Sequence, residues 1–151
     1  MKSLGFLLMA ALAPISGHAA GLDEIPPVEV WQAAPDTIFD ASDVTLDDFL
    51  WTARPIVVFA DTPADPRLVQ QLDLLTERMG ALIDREVVVI VDADPRNPSP
   101  VRTELRARGF MVVLIAKDGS VVLRKPDPWD VRELSRAIDK IPLRQQELKF
   151  R

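Results

Sequence analysis

Two carboxylates in the run Asp92-Ala93-Asp94, at positions i and i+2 after an apolar stretch, are spaced to meet a divalent cation through oxygen. An Asp-x-Asp-Pro pattern at a strand end also simply turns the chain, with Arg96 as a nearby counter-charge, and this plainer account is preferred. A second cluster, Asp61-Thr62-Pro63-Ala64-Asp65 followed by Arg67, sits where a helix begins. Free N–H groups at a helix start can receive an anion, with Arg67 assisting, although the Asp65 carboxylate would itself fill that place. Asp61, Thr62, Asp65, Arg67, Asp92, Asp94 and Arg96 therefore make the candidate ligand-binding patch. No metal site, no cofactor and no catalytic residue is expected.

Most other chemistry lacks its residues. The chain has no cysteine and no tyrosine, and its one histidine is His18. Beyond residue 20 the serines are Ser42, Ser99, Ser120 and Ser135; Ser99 and Ser120 have cap and turn explanations, and none lies in a Gly-x-Ser-x-Gly elbow. Without histidine, a serine or threonine nucleophile would need lysine or a carboxylate as its base. The six glycines are too scattered for a phosphate loop.

His18 falls in what reads as a secretory signal peptide, residues 1–20. Lys2 is the charged start, Leu4 to Ile15 is apolar, and small residues surround position 19. That apolar run is too short to span a bilayer comfortably, and no longer one follows. A lipid anchor on cysteine is excluded. Cleavage near residue 20 removes one lysine and no acid, so the net charge moves from −5 to −6. Nothing then supplies a basic stripe for nucleic acid or anionic lipid. The expected protein is exported, periplasmic or secreted, with about 130 residues that can bury a core without disulfides.

Residues 21–44 read as an acidic, proline-rich arm packed loosely on the domain, with a short strand possible at Val28–Trp31. Thr45 caps a short helix, Leu46–Trp51, with Asp47 and Asp48 in its first turn. The apolar, β-branched runs 55–60 and 87–91 are strands buried on both faces. Between them Leu68, Leu72, Leu75, Met79 and Leu82 recur at helical spacing, predicting a helix over 66–84. Ser99-Pro100 opens a helix with a thin apolar face, Val101 and Leu105, that ends at Gly109. Strands 111–116 and 120–124 are joined through Lys117-Asp118-Gly119, a strong hairpin signal. A last helix carries Val131, Leu134, Ile138 and Ile141 and stops at Pro142. Asp65-Pro66, Ser99-Pro100 and Asp127-Pro128 share one helix-start device.

The resulting order, β-α-β-α-β-β-α, is that of an α/β thioredoxin-like domain over residues 45–143, with a mixed four-stranded sheet and helices on both faces. Residues 144–151 read as a solvated tail, with an amphipathic or docking extension as the alternative.

Several local runs resemble one family: Arg54-Pro55, Phe59-Ala60, Asp65-Pro66-Arg67-Leu68, Gln71, Asp84-Arg85, Leu114 through Gly119, Leu123-Arg124 and Ile138 through Glu147. Their joint order, over about residues 46–150, is similar to the DUF4174 family. The resemblance implies a thioredoxin-like fold and small exported bacterial proteins, with related modules in vertebrate secreted matrix proteins. It implies no established reaction. Redox-active thioredoxin folds carry cysteine between the first strand and its helix, where the helix start lowers the thiol pKa. This chain has Asp61–Asp65 there, and Arg108-Gly109-Phe110-Met111 lacks the proline that usually precedes the third strand. Thr62 resembles a peroxidase threonine but has no thiol to activate.

Trp31, Trp51 and Trp129 are expected in the core, an exposed one marking an interface; Trp129 and Arg144 are the candidate interface residues. The function expected is a non-catalytic binding or scaffold module of the cell envelope, whose partner is another envelope or secreted protein. The alternatives are a partner-dependent component of a thiol-redox or peroxide-defence system, and a weak metal- or anion-binding protein.

Overall fold

The computed structural model describes residues 24–151; the signal-peptide expectation lies outside them. Helix α1 (Pro27–Ala33) is followed by strand β1 (Ile38–Asp40), a 3₁₀ turn (Leu46–Phe49), β2 (Arg54–Phe59), α2 (Pro66–Glu77), α3 (Met79–Ile83), β3 (Val87–Asp92) and α4 (Pro100–Leu105). The hairpin β4 (Met111–Ile115) and β5 (Val121–Lys125) precedes α5 (Val131–Asp139) and α6 (Pro142–Lys149). Among the described residues the strands form one sheet in the order β1-β3-β2-β4-β5. β1, β3 and β2 are parallel, while β4 runs antiparallel to β2 and β5 to β4.

Successive residues of a strand face opposite sides, and the continuous apolar runs use both. Ile56, Val58, Val89 and Leu114 pack under α2, α3 and α5 with Leu68, Leu75, Leu82, Leu134 and Ile138. Val57, Phe59, Ile90 and Ile115 face the other way, toward Trp31, Phe49, Val101 and Leu105. Each fully buried aliphatic side chain contributes about 1.5–3 kcal/mol.

Five expectations change. The sheet has five strands, because the arm is part of the domain: Ile38 pairs with Val89 and Asp40 with Val91. Val28–Trp31 is helical, since Pro27 occupies the first helical position and its missing N–H costs nothing there. Trp31 is buried, and its indole N–H donates to the Val87 carbonyl at 3.2 Å.

The helix expected over 66–84 breaks at Arg78, whose φ of −123° and ψ of 31° are not helical; Leu75 and Leu82 still reach one core. The last long helix starts at Val131 rather than at Asp127-Pro128. Buried Gln71 holds the Trp129 backbone from both sides, accepting from its N–H at 2.7 Å and donating to its carbonyl at 2.9 Å. Asp130 therefore takes the cap, accepting from Arg132 N–H at 2.6 Å.

Finally, residues 142–149 are a docked helix and not a solvated tail. Pro142, which ends α5, sits in the first turn of α6. Glu147 accepts from Arg54 Nη2 at 2.8 Å and lies 3.2 Å from Lys117 Nζ. Lys117 also donates to Glu86 at 2.7 Å, and Arg144 Nη2 donates to the Asp84 carbonyl at 3.3 Å.

The hairpin follows expectation. Gly119 has φ of 85°, and a Cβ there would meet Leu50 Cδ2 at 3.1 Å, so glycine serves both turn and packing. Asp118 accepts from Ser120 N–H at 3.0 Å.

Two measurements follow. Trp31→Ala should cost about 3–5 kcal/mol in urea unfolding, as loss of a buried aromatic does; a change below about 0.5 kcal/mol, usual for surface sites, would return the N-terminal segment to a loose arm. For Glu147, burial is the largest influence and raises the pKa, but Arg54 and Lys117 together outweigh it and the net displacement is downward. Such a carboxylate stabilises the fold fully above its unfolded value, roughly pH 4.3, and loses that effect as pH falls through the lower folded value. Glu147→Gln should lower Tm at neutral pH, and the gap to the parent should narrow on acidification below about pH 4. A pH-independent gap would show that packing alone is involved.

Candidate functional site

The C-terminal ends of β2 and β3 point to the same side, where open α/β sheets place ligands. Asp65 caps α2 as anticipated: its Oδ1 accepts from Arg67 N–H at 2.9 Å. The Arg67 guanidinium then folds back, donating from Nε to Oδ1 at 3.2 Å and from Nη2 to Oδ2 at 3.0 Å, and lies 5.1 Å from the Phe110 ring centre. The side-chain hydrogen bond from Arg67 is the main cause that holds Asp65 below the usual carboxylate range, and Asp65 in turn raises Arg67. The helix start is thus filled by its own carboxylate, and the carboxylate by its own cation.

Asp92 is buried and neutralised by a residue the sequence reading missed. Arg102 donates to Asp92 Oδ1 from Nε at 3.0 Å and from Nη2 at 2.7 Å, while Ser99 Oγ donates to Oδ2 at 2.6 Å. Arg102 Nη2 also donates to the Ala60 carbonyl at 2.9 Å. One guanidinium therefore ties the end of β3, the end of β2 and the start of α4. The expected counter-charge, Arg96, is exposed; it gives its backbone N–H to Asp94 at 3.2 Å, and its charge is a minor cause of the lowered Asp94 pKa. The usable signal was the thin face of α4: Arg102 stands one turn before Leu105, on the side that turns inward.

Asp94 accepts from Asn97 Nδ2 at 2.7 Å, the chief cause that lowers its pKa. Asp61 and Thr62 are exposed, and Thr62 Oγ1 accepts from Ala64 N–H at 3.3 Å. Asp92 and Asp94 do line a common hollow of about 220 Å³, with Asp40, Ser42, Asn97 and Ser99; Asp61, Thr62, Asp65, Arg67 and Arg96 lie outside its lining. Asp40 is engaged by Ser42 N–H at 2.8 Å. No group of three or more metal-ligating side chains is placed to hold an ion among the described residues.

General acid–base work needs a group poised near the working pH. The resolved displacements here, at Asp65 and Asp94, run the other way.

The two interface candidates separate. Arg144, expected at an interface, is buried inside the fold. Trp129 is half-buried, with Lys125 Nζ 4.3 Å from its ring centre. Trp51, expected in the core, is 68% exposed at a φ of 63°, a conformation rare for a bulky residue; its N–H donates to the Lys117 carbonyl at 2.7 Å. On the far side of the same hairpin is a larger groove of about 510 Å³, between β5 and the α5–α6 corner. Val121, Val122, Ile141, Pro142, Leu143 and Gln146 line it.

These assignments rank the substitutions. Arg102→Ala leaves Asp92 buried and unpaired and should cost about 3–5 kcal/mol, whereas Asp65→Ala removes one cap and should cost about 1 kcal/mol. Urea unfolding of both variants measures this. Equal small losses would mean that Asp92 is available to a ligand.

Comparison with known proteins agrees with this architecture. The Plasmodium vivax 2-Cys peroxiredoxin, in its reduced form, superposes with a TM-score of 0.57 at 14% identity, over 68% of this chain and 85% of that one. Plasmodium yoelii thioredoxin peroxidase I gives 0.51 at 15%, over 68% and 80%. At such identity the likeness is one of fold, the thioredoxin fold. No curated protein matches the sequence. The family model described as a domain of unknown function, DUF4174, matches residues 45–147, most of the chain, and the chain belongs to that family.

Proposed function

We propose that this protein is an exported, non-catalytic thioredoxin-fold module that binds another protein of the cell envelope. The observation that carries the reading is the closure of the β2 and β3 ends. Where redox members of the fold hold cysteine, Asp65 caps the helix and Arg67 closes onto Asp65 at 3.0 Å, while Arg102 consumes Asp92 at 2.7 Å. Asp65, Arg67, Asp92 and Arg102 are thereby committed to one another. The leader-like residues 1–20 support export.

Binding then belongs on the groove beside β5. Its walls are mixed, with Asp118, Ser120, Lys140 and Gln146 among the apolar residues, and Val121 and Val122 remain 43% and 37% exposed. Exposed tryptophan is enriched at binding hot spots, and Trp51 offers a second apolar contact on the opposite side of the β4–β5 hairpin. The edge of β5 itself is poorly made for adding a strand. Its register slips at Val121–Val122, and Arg124, Lys125 and Pro126 follow, all devices that blunt an edge. A partner would therefore seat side chains in the groove and leave the sheet at five strands.

Residues 21–151, supplied with hydrogen peroxide or a protein disulfide and an excess of small-molecule thiol, should consume substrate no faster than buffer. A rate proportional to protein concentration would overturn the non-catalytic reading.

A further inference from the structure

Helix α6 forms one wall of the groove, through Pro142, Leu143 and Gln146, yet it is held mostly by charge. The one residue of α6 that is fully buried is Arg144, and Leu143 is the helix's half-buried apolar contact with the core. The rest of the attachment is Glu147, set between Arg54 at 2.8 Å and Lys117 at 3.2 Å. Glu86 faces the same cations from the turn before β3, at 3.6 Å from Arg54 and 2.7 Å from Lys117, and Asp139 at the end of α5 lies 3.8 Å from Arg144.

This closure is also incomplete. Arg54 Nε is buried with no hydrogen-bond acceptor, and buried Arg144 Nε has only Asp139 Oδ1, at 3.8 Å and beyond hydrogen-bond distance. A buried donor without a partner keeps its desolvation penalty, so the closed position of α6 carries a cost that opening to water relieves. Segments with few buried apolar contacts and an ionic hold are drawn from the low-stability end of a fold, and can open while the sheet stays intact.

We propose that α6 is a strap that opens independently of the sheet, held shut by the Glu147 clamp on Arg54 and Lys117, and that its opening removes one wall of the groove and uncovers Arg54. The strap thereby sets the shape and the charge that a partner meets. This regulatory consequence rests on the groove being the docking surface; the opening itself does not.

Amide hydrogen exchange on the whole chain, without any partner, tests the opening. In the parent protein the amides of Gln145 to Lys149 should exchange at least about tenfold faster than those of β2 and β3, as a sub-global opening requires. Raising salt from 20 mM to about 0.5 M should speed α6 further and leave the sheet unchanged. Glu147→Gln should do the same at low salt. Exchange of α6 at the rate of the sheet in the parent, or equal acceleration of both by salt, would overturn the proposal even if the variant failed to fold.

Discussion

Arg54 has none of its surface exposed, so its charge has to be met inside the fold. Its Nη1 donates to the Arg85 carbonyl at 2.9 Å and its Nη2 to Glu147 at 2.8 Å. Its backbone N–H donates to the Glu86 carbonyl at 2.8 Å, where β2 first meets β3. One side chain thus joins the first residue of β2, the turn before β3 and the last helix. Lys117 extends the same network to the hairpin. At the opposite end of the two central strands Arg102 plays a matching part, holding Asp92 and the Ala60 carbonyl. Removing Arg102 would leave Asp92 stranded in a poorly solvated interior, a costly outcome, whereas Glu86 and Glu147 would keep Lys117 without Arg54.

Arg67 and Arg102 lie at the end of the central strands where redox thioredoxin folds carry their thiol. In a thioredoxin fold the ends of the central strands are the natural place for a reactive group, because a helix start and converging loops meet there. Here the same geometry is spent on internal pairs: Asp65 with Arg67, and Asp92 with Arg102 and Ser99. What stays open is elsewhere, around the hairpin and α6, where Trp51, Val121 and Val122 are exposed. The likeness to peroxiredoxins is therefore one of scaffold.

Local signals made the centre of the fold legible. Continuous β-branched runs mark β2 and β3, leucine spacing marks α2 and α3, and Asp-Gly marks the hairpin turn. The edges were not legible, for a common reason: they depend on partners far away in the chain. β1 has three residues and no strong alternation, and becomes a strand because β3 offers it an open edge. Asp127-Pro128 has the right chemistry for a cap but loses to Asp130, because Gln71, 58 positions earlier, holds Trp129. Glu147 reads as part of a polar tail until Arg54, 93 positions away, is placed beside it. At the candidate site, the self-filling of the helix start by Asp65 could be foreseen from spacing. The pairing of Asp92 could not, since Arg102 carries no motif and is distinguished only by facing inward on a short helix.

The central claim is that this chain meets its partner at the groove beside β5 and not at the ends of β2 and β3. A photoreactive amino acid placed at Val122 in one protein and at Arg67 in another, each expressed as residues 1–151 and irradiated in intact cells, tests it directly. The account predicts a discrete protein adduct from position 122 and none from position 67. An adduct from position 67 alone would contradict it and return the strand ends to the centre of the function.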